Sequence, residues 1–255
     1  MHHLVRVLRI RDGERVVASD GRGSWRWCLV SDGPAAGSVA PGEGSSGPSG
    51  PLRVAGEVRI DPPPQLTLTV GFAPVKGERP EWVVEKLTEL GVDHIVVLST
   101  DRAVVRWRDD RAGRALARLE ISARQAAAQS RRVRLPVVEG PWTLEELAAN
   151  VPDGALSLAE PGGGPPSLRH HAVAVGPEGG WSERELALDL PKTGFLPGVL
   201  RSETAAMAAG LTLGALRAGT VDQAGSGPDP GSGPAPWPRP GTRAPGGSRG
   251  HPVDR

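Results

Sequence analysis

The sequence predicts an α/β protein in which a small antiparallel β unit precedes a larger domain with a mainly parallel sheet. Two patterns predict this class. Up to residue 60, short stretches of alternating apolar and polar residues are separated by turns, which is typical of antiparallel strands. From residue 65 onward, short apolar runs alternate with helical segments, and that alternation favours a parallel sheet.

The N-terminal β unit is predicted to contain four short strands. Asp-Gly pairs at residues 12–13 and 20–21 supply the first two turns. Trp25 and Trp27 alternate with polar residues, as in a half-buried strand. The strands are predicted over residues 5–10, 15–18, 25–29 and 52–60.

The second domain is predicted to alternate four strands with five helices. Gly91 follows an apolar helical face and indicates a C-terminal cap. Two capping boxes, in which Thr143 precedes Glu146 and Ser182 precedes Glu185, open two of the helices. Strands are expected over residues 66–72, 95–98, 155–159 and 172–175, and helices from residues 80, 111, 143, 182 and 203.

Glycine and proline are unusually frequent, with 35 Gly and 26 Pro among 255 residues. Many of them lie in residues 32–51 and 221–255, which carry too few apolar side chains to form a core. We therefore expect a flexible loop and a disordered tail. No Gly-X-Y period and no long apolar run occurs, which excludes a collagen and a membrane span. The lone Cys28 has no disulfide partner in the chain, which suggests the cytoplasm.

Residues 175–182 are the first candidate functional segment, because they connect a buried strand to a well-capped helix. Ligands of parallel α/β sheets bind at the carboxyl ends of strands, and glycines there allow close backbone approach. The dinucleotide pattern GxGxxG and the P-loop pattern are both absent. From the residues alone, a ligand-binding loop and a tight structural turn remain equally open.

Residues 196–205 are the second candidate, since a Pro-Gly loop runs there into the last helix. Glu203 at the helix start is favoured by the helix dipole and could be purely structural. Arg201 is less easily explained, because a cation is not favoured at a helix N-terminus. The pair is therefore a candidate for function.

Residues 102–134 are the third candidate, with ten Arg against Asp109, Asp110 and Glu120. Clustered Arg is typical of a surface that faces nucleic acid, although a solvated helix face in an Arg-rich composition gives the same pattern. The six His and one Cys have none of the spacings of a metal site, so no metal is predicted.

At these segments the chain resembles the 16S ribosomal RNA (uracil N3) methyltransferases of the knotted SPOUT superfamily. The resemblance spans about residues 3–218. Its most specific part is Gly176-Pro-Glu-Gly-Gly180 followed by Leu200-Arg-Ser-Glu-Thr-Ala205. The strings HLVRVLR at residues 3–9, ELGV at 89–92 and QSRR at 129–132 also match, in the same order.

This resemblance implies the domain organisation. Residues 1–61 would form a PUA-like β-barrel that helps to hold RNA, is N-terminally incomplete and contains the flexible loop 32–51. Residues 65–220 would form a methyltransferase domain with a deep trefoil knot, followed by the disordered tail 221–255. Members of the family act as homodimers with the active site near the subunit interface.

The resemblance also implies the activity. The protein would use S-adenosylmethionine to methylate N3 of a specific uridine in the 16S rRNA of the 30S ribosomal subunit, in the cytoplasm and without a metal or a membrane. Two alternatives stay open. The same scaffold could modify another RNA nucleotide, or the protein could be a non-catalytic RNA-binding protein.

Individual site residues follow by position from the resemblance. Arg201 would stabilise the uracil anion or a phosphate, and Glu203 would position the base or accept its proton through water. Because the family usually has Gly at position 196, the side chain of Leu196 requires a negative φ or a shifted loop. RNA contacts would come from Arg6, Arg9, Arg131 and Arg132. The cofactor would lie among three loops formed by Ala159, Glu160, Pro161, Gly176, Pro177, Glu178, Gly179, Gly180, Leu196, Pro197, Gly198, Val199 and Leu200.

Overall fold

The structure is a computed structural model. It describes residues 13–30, 52–74, 79–105, 107 and 109–221. The predictions for the strand at 5–10, for Arg6 and Arg9, for the loop 32–51 and for nearly all of the tail lie outside the described residues.

A small antiparallel sheet forms the N-terminal unit. It consists of β1 (Arg15–Ser19), β2 (Ser24–Val30), β3 (Leu52–Val54) and β4 (Arg59–Ile60), and the other three strands all pair with β2. The single strand predicted over residues 52–60 is divided, because the register shifts between the Cys28–Val54 and Trp25–Arg59 pairs and the chain bulges between them.

A six-stranded parallel sheet forms the centre of the second unit, which confirms the predicted α/β class. The strands are β5 (Thr69–Phe72), β6 (His94–Leu98), β7 (Val137–Trp142), β8 (Leu156–Gly164), β9 (Ala172–Val175) and β10 (Lys192–Thr193). Their order in the sheet is β10-β8-β9-β5-β6-β7, and every neighbouring pair is parallel. The central strands are buried on both faces, as expected for parallel strands covered by helices.

Helices cover both faces of this sheet. The helices are α1 (Arg79–Glu89), α2 (Asp109–Gln129), α3 (Leu144–Ala149), α4 (Glu183–Leu186) and α5 (Ser202–Arg217). The long helices α1, α2 and α5 pack on one face around Val70, Phe72 and Leu119, and α3 packs on the other face with Trp181. Both predicted capping boxes are present, and Gly91 has a φ of 88°, as its predicted capping role requires.

Strand β8 is longer than the sequence predicts. It was expected to end at Ala159, but it continues to Gly164 through a Pro-Gly-Gly-Gly stretch that looks like a loop. The unpredicted strand β10 lies beside it, with Thr193 opposite Gly164. Gly163 and Gly194 pack backbone to backbone here, since a Cβ on either glycine would lie under 3.0 Å from the other segment. This long-range pairing explains why a local loop signal was misleading.

The hairpin tip of the small sheet is attached to the segment that follows α2. Ser19 Oγ donates to Val133 O at 2.8 Å, and Leu135 N donates to the carbonyl of Gly21 at 2.9 Å. Arg134 reaches back and donates to the carbonyls of residues 61 and 62, at the junction of the two units. These contacts fix the small sheet against the larger unit.

Asp93 lies between α1 and β6 and joins several elements. Its carboxylate accepts hydrogen bonds from Leu68 N at 3.0 Å and from Arg132 Nη2 at 3.3 Å, and it also accepts from Arg217 at the end of α5. The same two arginines donate to backbone carbonyls of residues 66, 88, 91 and 92. Asp93 therefore ties the ends of α2 and α5 to the edge of the sheet.

Among the described helices, none is long and apolar enough to cross a membrane.

Candidate active site

A pocket of about 430 Å³ opens at the carboxyl ends of β9 and β10, beside the middle of β8. Carboxyl ends of parallel strands meet at one edge of a sheet, which is the usual ligand position in such folds. Eleven of the thirteen residues predicted to bind the cofactor line it, whereas Gly179 and Pro197 do not. The lining residues that were not predicted for the cofactor are Val175, Trp181, Thr193, Phe195, Arg201, Ser202 and Ala205.

The first predicted loop is wrong in its conformation, although its residues reach the pocket. Ala159, Glu160 and Pro161 belong to strand β8 rather than to a loop, because β8 is extended by its pairing with β10. At the base of the same wall, Thr193 Oγ1 donates to Ser157 Oγ at 2.8 Å, so a buried hydroxyl pair joins the two strands.

The Gly176–Gly180 loop is held on both sides of its first glycine. A Cβ at Gly176 would lie 3.0 Å from the ring of the buried Trp181, so no other residue fits without a shift. The buried Ser202, at the start of α5, donates from Oγ to Gly176 O at 2.6 Å. Gly180 has a φ of 69° and closes the turn by donating to Pro177 O at 2.9 Å. The loop is thus fixed in shape and attached to α5.

The segment 196–200 forms an exposed wall of the pocket. Leu196 is 56% exposed and Val199 is 87% exposed. The only described non-glycine residues with a positive φ are Arg131 and Asp189, so the backbone accommodates the Leu196 side chain in an ordinary conformation. Leu196 therefore has the negative φ that is needed where a leucine stands in place of the usual glycine.

Arg201 and Glu203 occupy different places relative to the pocket. Arg201 is the exposed N-cap residue of α5 and lines the pocket, and its side chain makes no capping hydrogen bond. Within the described part of the chain, its guanidinium has no hydrogen-bond or ion-pair partner. Glu203 is half-buried in the first turn of the helix and does not line the pocket. The structure therefore places one of the two predicted catalytic side chains at the pocket itself.

The prediction that both Arg131 and Arg132 face RNA is wrong for Arg132. Its guanidinium points into the protein and donates to Thr88 O and Val92 O, each at 2.8 Å, and to Asp93. Burial lowers the pKa of Arg132, and the Asp93 carboxylate partly opposes that shift. Arg131 is exposed, with a φ of 59°. A cluster of charges in the sequence does not reveal that Arg132, unlike its neighbour Arg131, donates hydrogen bonds to backbone carbonyls near the end of α1.

One face of the small sheet carries aromatic and cationic side chains that are not among the predicted RNA contacts. Trp25 and Trp27 lie edge to face, with ring centroids 6.2 Å apart. The guanidinium of Arg15 lies 4.5 Å from the Trp27 ring centroid, and that of Arg59 lies 5.2 Å from the Trp25 ring centroid. Arg53 is on the same face, since it pairs with Leu29 in register. The signal was the alternation of Trp25 and Trp27, read only as a half-buried strand.

Titratable groups do not form a metal site in the part of the chain that the structure describes. No group of three or more His, Cys, Asp or Glu side chains there could hold a metal ion.

Comparisons with known proteins identify the family. The family model for an RNA methyltransferase domain matches residues 62–213, and the model for an RNA methyltransferase PUA domain matches residues 1–33. Ribosomal RNA small subunit methyltransferase E of Mycobacterium bovis is 33% identical over 224 residues, which cover 81% of this chain and 80% of the relative.

Solved structures agree with this assignment. A Porphyromonas gingivalis protein described as an rRNA-methyltransferase superposes with a TM-score of 0.67 and 28% identity, covering 86% of this chain and 92% of its own. A Legionella pneumophila protein described as a methyltransferase, in complex with the bound cofactor SAM, superposes with a TM-score of 0.68 and 25% identity, covering 84% and 88%. The predicted resemblance is confirmed: the chain belongs to the RNA methyltransferase family that includes ribosomal RNA small subunit methyltransferase E.

Proposed function

We propose that this protein transfers the methyl group of S-adenosylmethionine to N3 of a specific uridine in 16S rRNA, within the small ribosomal subunit. The observation that carries the proposal is the pocket at the strand ends, where Gly176–Gly180, residues 196–200 and Arg201 meet. Membership of the rRNA methyltransferase family supports it, as does the SAM bound in the Legionella pneumophila relative.

The residues of the pocket fit S-adenosylmethionine. The volume of about 430 Å³ lies within the range of small-molecule sites. Val175, Phe195 and Leu200 offer apolar walls for a flat adenine ring, and the glycines expose backbone groups for its polar edge. Glu160 and Glu178 are acidic side chains at a pocket that would hold a sulfonium and an ammonium group. When bound, this cofactor would supply an electrophilic methyl group.

Arg201 is suited to the chemistry of uracil. N3 of uracil is a weakly acidic imide, and it becomes a nucleophile only as its proton leaves. The guanidinium of Arg201, at the N-terminus of α5, has no partner among the described residues, and it provides positive charge at the pocket where negative charge on the uracil oxygens would develop. We assign Glu203, two residues further along in the first turn of α5, to orienting the base or accepting the proton through water.

The aromatic face of the small sheet supports an RNA-binding role for the N-terminal unit. Trp25 and Trp27 can stack on bases, and Arg15, Arg53 and Arg59 can neutralise phosphates. Residues paired across this sheet share a face, so these five side chains point to the same side. We propose that this face, with Arg131, replaces the predicted Arg131–Arg132 pair as the RNA-holding surface.

The proposed active form is a homodimer in the cytoplasm, where ribosomal subunits are assembled. Exposed apolar side chains beside the pocket and on α5 support a dimer, because Leu196, Val199 and Leu211 are all more than half exposed. Light scattering coupled to size-exclusion chromatography tests this directly. A mass of one chain at micromolar concentration would contradict the dimer.

Mass spectrometry of 16S rRNA is the decisive test of the activity. Ribosomal RNA from a strain lacking the gene is compared with that from the strain in which the gene is restored. We expect one uridine to gain a methyl group at N3 only in the restored strain. A methyl group on another nucleotide would favour the alternative substrate, and no change together with tight RNA binding would favour a non-catalytic protein.

Purified variants test the two assigned side chains. We expect Arg201→Ala to lower methylation of 30S particles by about 100-fold, as loss of a transition-state donor does. Glu203→Gln should lower it by about tenfold or more, as loss of an acid–base or orienting group does. Arg169→Ala removes the same charge from an exposed residue of the short helix Leu168–His170 and serves as the control. Wild-type activity in both test variants would refute the assignment.

A further inference from the structure

We infer that Glu185 is a positioning residue, whose buried carboxylate ties the Gly176–Gly180 loop to the loop after β6 and thereby holds the pocket in the shape that binds its ligand. The inference rests on the proposed function in one respect, because the ligand used to test it is S-adenosylmethionine. Glu185 does not line the pocket, so it would act through the loop.

The two oxygens of Glu185 serve two different chain segments. Oε2 accepts from N of Ser182, the N-cap residue of α4, two residues after the Gly176–Gly180 loop, at 2.8 Å. Oε1 accepts from Asp101 N at 3.0 Å, in the segment that follows β6. The residue is only 1% exposed, so both bonds are shielded from water. Charge-assisted bonds of this kind are stronger than neutral ones.

Further contacts join the same two loops. Ser182 Oγ donates to Asp101 Oδ2 at 2.6 Å, and Arg184 Nη2 donates to Asp101 Oδ1 at 2.9 Å. At the other end, Arg102 Nη1 donates to Gly179 O at 3.2 Å. A Cβ at Gly179 would lie 3.3 Å from the Cβ of Arg102, so the two backbones are in close contact. The tie therefore spans residues 179–185 on one side and 101–102 on the other.

The capping box alone does not account for a buried Glu185. Glu146 forms the same box on α3, where its carboxylate accepts from Thr143 N at 2.7 Å and its own N–H donates to Thr143 Oγ1 at 3.2 Å. That carboxylate is solvent-exposed, and no described residue outside its own capping box bonds to it. Burying a carboxylate costs free energy, and Glu185 offsets that cost through its additional bond to Asp101 N. The capping box of Glu185 therefore differs from that of Glu146 by this bond to Asp101 N, which joins the start of α4 to the loop after β6.

The contacts of Glu185 and Arg102 lie outside the pocket, behind the loop that forms one of its walls. Gly176 is held on the α5 side through Ser202, and Gly179 and Ser182 are held on the opposite side through Arg102 and Glu185. The residues between these anchors, Pro177 and Glu178, line the pocket, whereas Gly179 and Ser182 do not. Loosening the outer anchor would let this wall of the pocket move, and a ligand would then have to order it on binding.

Titration calorimetry with S-adenosylmethionine on the full-length protein tests the inference, with Glu185→Ala and Glu185→Gln compared with the matched variant Glu146→Ala. We expect a Kd about tenfold higher for Glu185→Ala. Glu185→Gln should weaken binding less, because the amide keeps one acceptor oxygen but turns its NH₂ group towards the other N–H donor. For Glu146→Ala we expect a Kd within twofold of wild type. A purely structural role would lower the fraction of binding-competent protein, measured as the stoichiometry, without changing its Kd.

A second variant covers the case in which the Glu185 variants fail to fold. Arg102 is exposed, so Arg102→Ala removes only the outer contact to Gly179, and we expect a Kd raised by about threefold. Unchanged affinity in Arg102→Ala and in every folded Glu185 variant would overturn the inference. If the wild-type protein itself fails to bind S-adenosylmethionine, the proposed function is wrong; intact wild-type binding with insensitive variants refutes only the role of Glu185.

Discussion

Replacing Asp93 by Asn should strongly destabilise the larger unit. The substitution keeps the shape of the side chain but removes the charge that faces two guanidinium groups. The side chains of Asp93, Arg132 and Arg217 are only 17%, 16% and 25% exposed, so water replaces the lost carboxylate poorly. The amide would also place an NH₂ group against one of its present donors.

The structure allows an estimate of the loss. Removing one partner of a fully buried ion pair costs about 3–5 kcal/mol. Because these three side chains are slightly exposed, we expect the lower end, about 3 kcal/mol, in the free energy of unfolding. For a domain of this size, about 3 kcal/mol corresponds to a fall in Tm of about 6–12 °C.

Thermal unfolding followed by circular dichroism measures this effect. Glu81→Gln is the matched control, since its partner Arg118 is 63% exposed and an exposed pair contributes at most about 1 kcal/mol. We therefore expect the control to lose no more than about 4 °C. If Asp93→Asn unfolds within about 2 °C of wild type, the Asp93 cluster is not the strong tie inferred from its burial.

Three further substitutions test local contacts. Gly194→Ala should lower the stability by about 1–3 kcal/mol in urea unfolding, because its Cβ would lie 2.8 Å from Gly163 O; a neutral result would mean that the two backbones separate easily. Ser202→Ala removes the bond to Gly176 O and should weaken S-adenosylmethionine binding several-fold by calorimetry, whereas equal affinity would show that Gly176 needs no such anchor. Thr143→Ala should cost about 1 kcal/mol in the same unfolding assay without changing methylation, and an activity loss would contradict its purely local role.

Features that depend on neighbours in sequence could be predicted. The capping boxes at Thr143 and Ser182 and the left-handed Gly91 follow from local backbone chemistry, and all three are present. The parallel sheet followed from the alternation of strands and helices. The predicted strand β8 ends too early because Pro161 and the glycines after it favour a loop locally. In the structure, pairing with β10 extends the strand through these residues.

Within the candidate site, the sequence located the segments better than it assigned the roles of single side chains. Direct neighbours such as Arg131 and Arg132 have the same charge, but only distant carbonyl groups determine that Arg132 turns inward. Glu185 was explained by its capping box alone, so its bond to Asp101, 84 residues away, was not expected. The roles of these side chains depend on contacts between segments that are distant in sequence, and residue type and spacing do not reveal such contacts.

The attachment of the small sheet to the segment after α2 has a consequence for which nucleotide of a bound RNA would reach the pocket. Since Ser19, Gly21 and Arg134 fix the hairpin tip, the Trp25–Trp27 face keeps a constant offset from the pocket. With the proposed RNA contacts on that face, such a fixed spacing would admit to the pocket only a nucleotide at one distance from the stacked bases. It would also raise the effective concentration of the target once the first contact has formed. Target selection would then depend on RNA geometry as much as on the identity of the base.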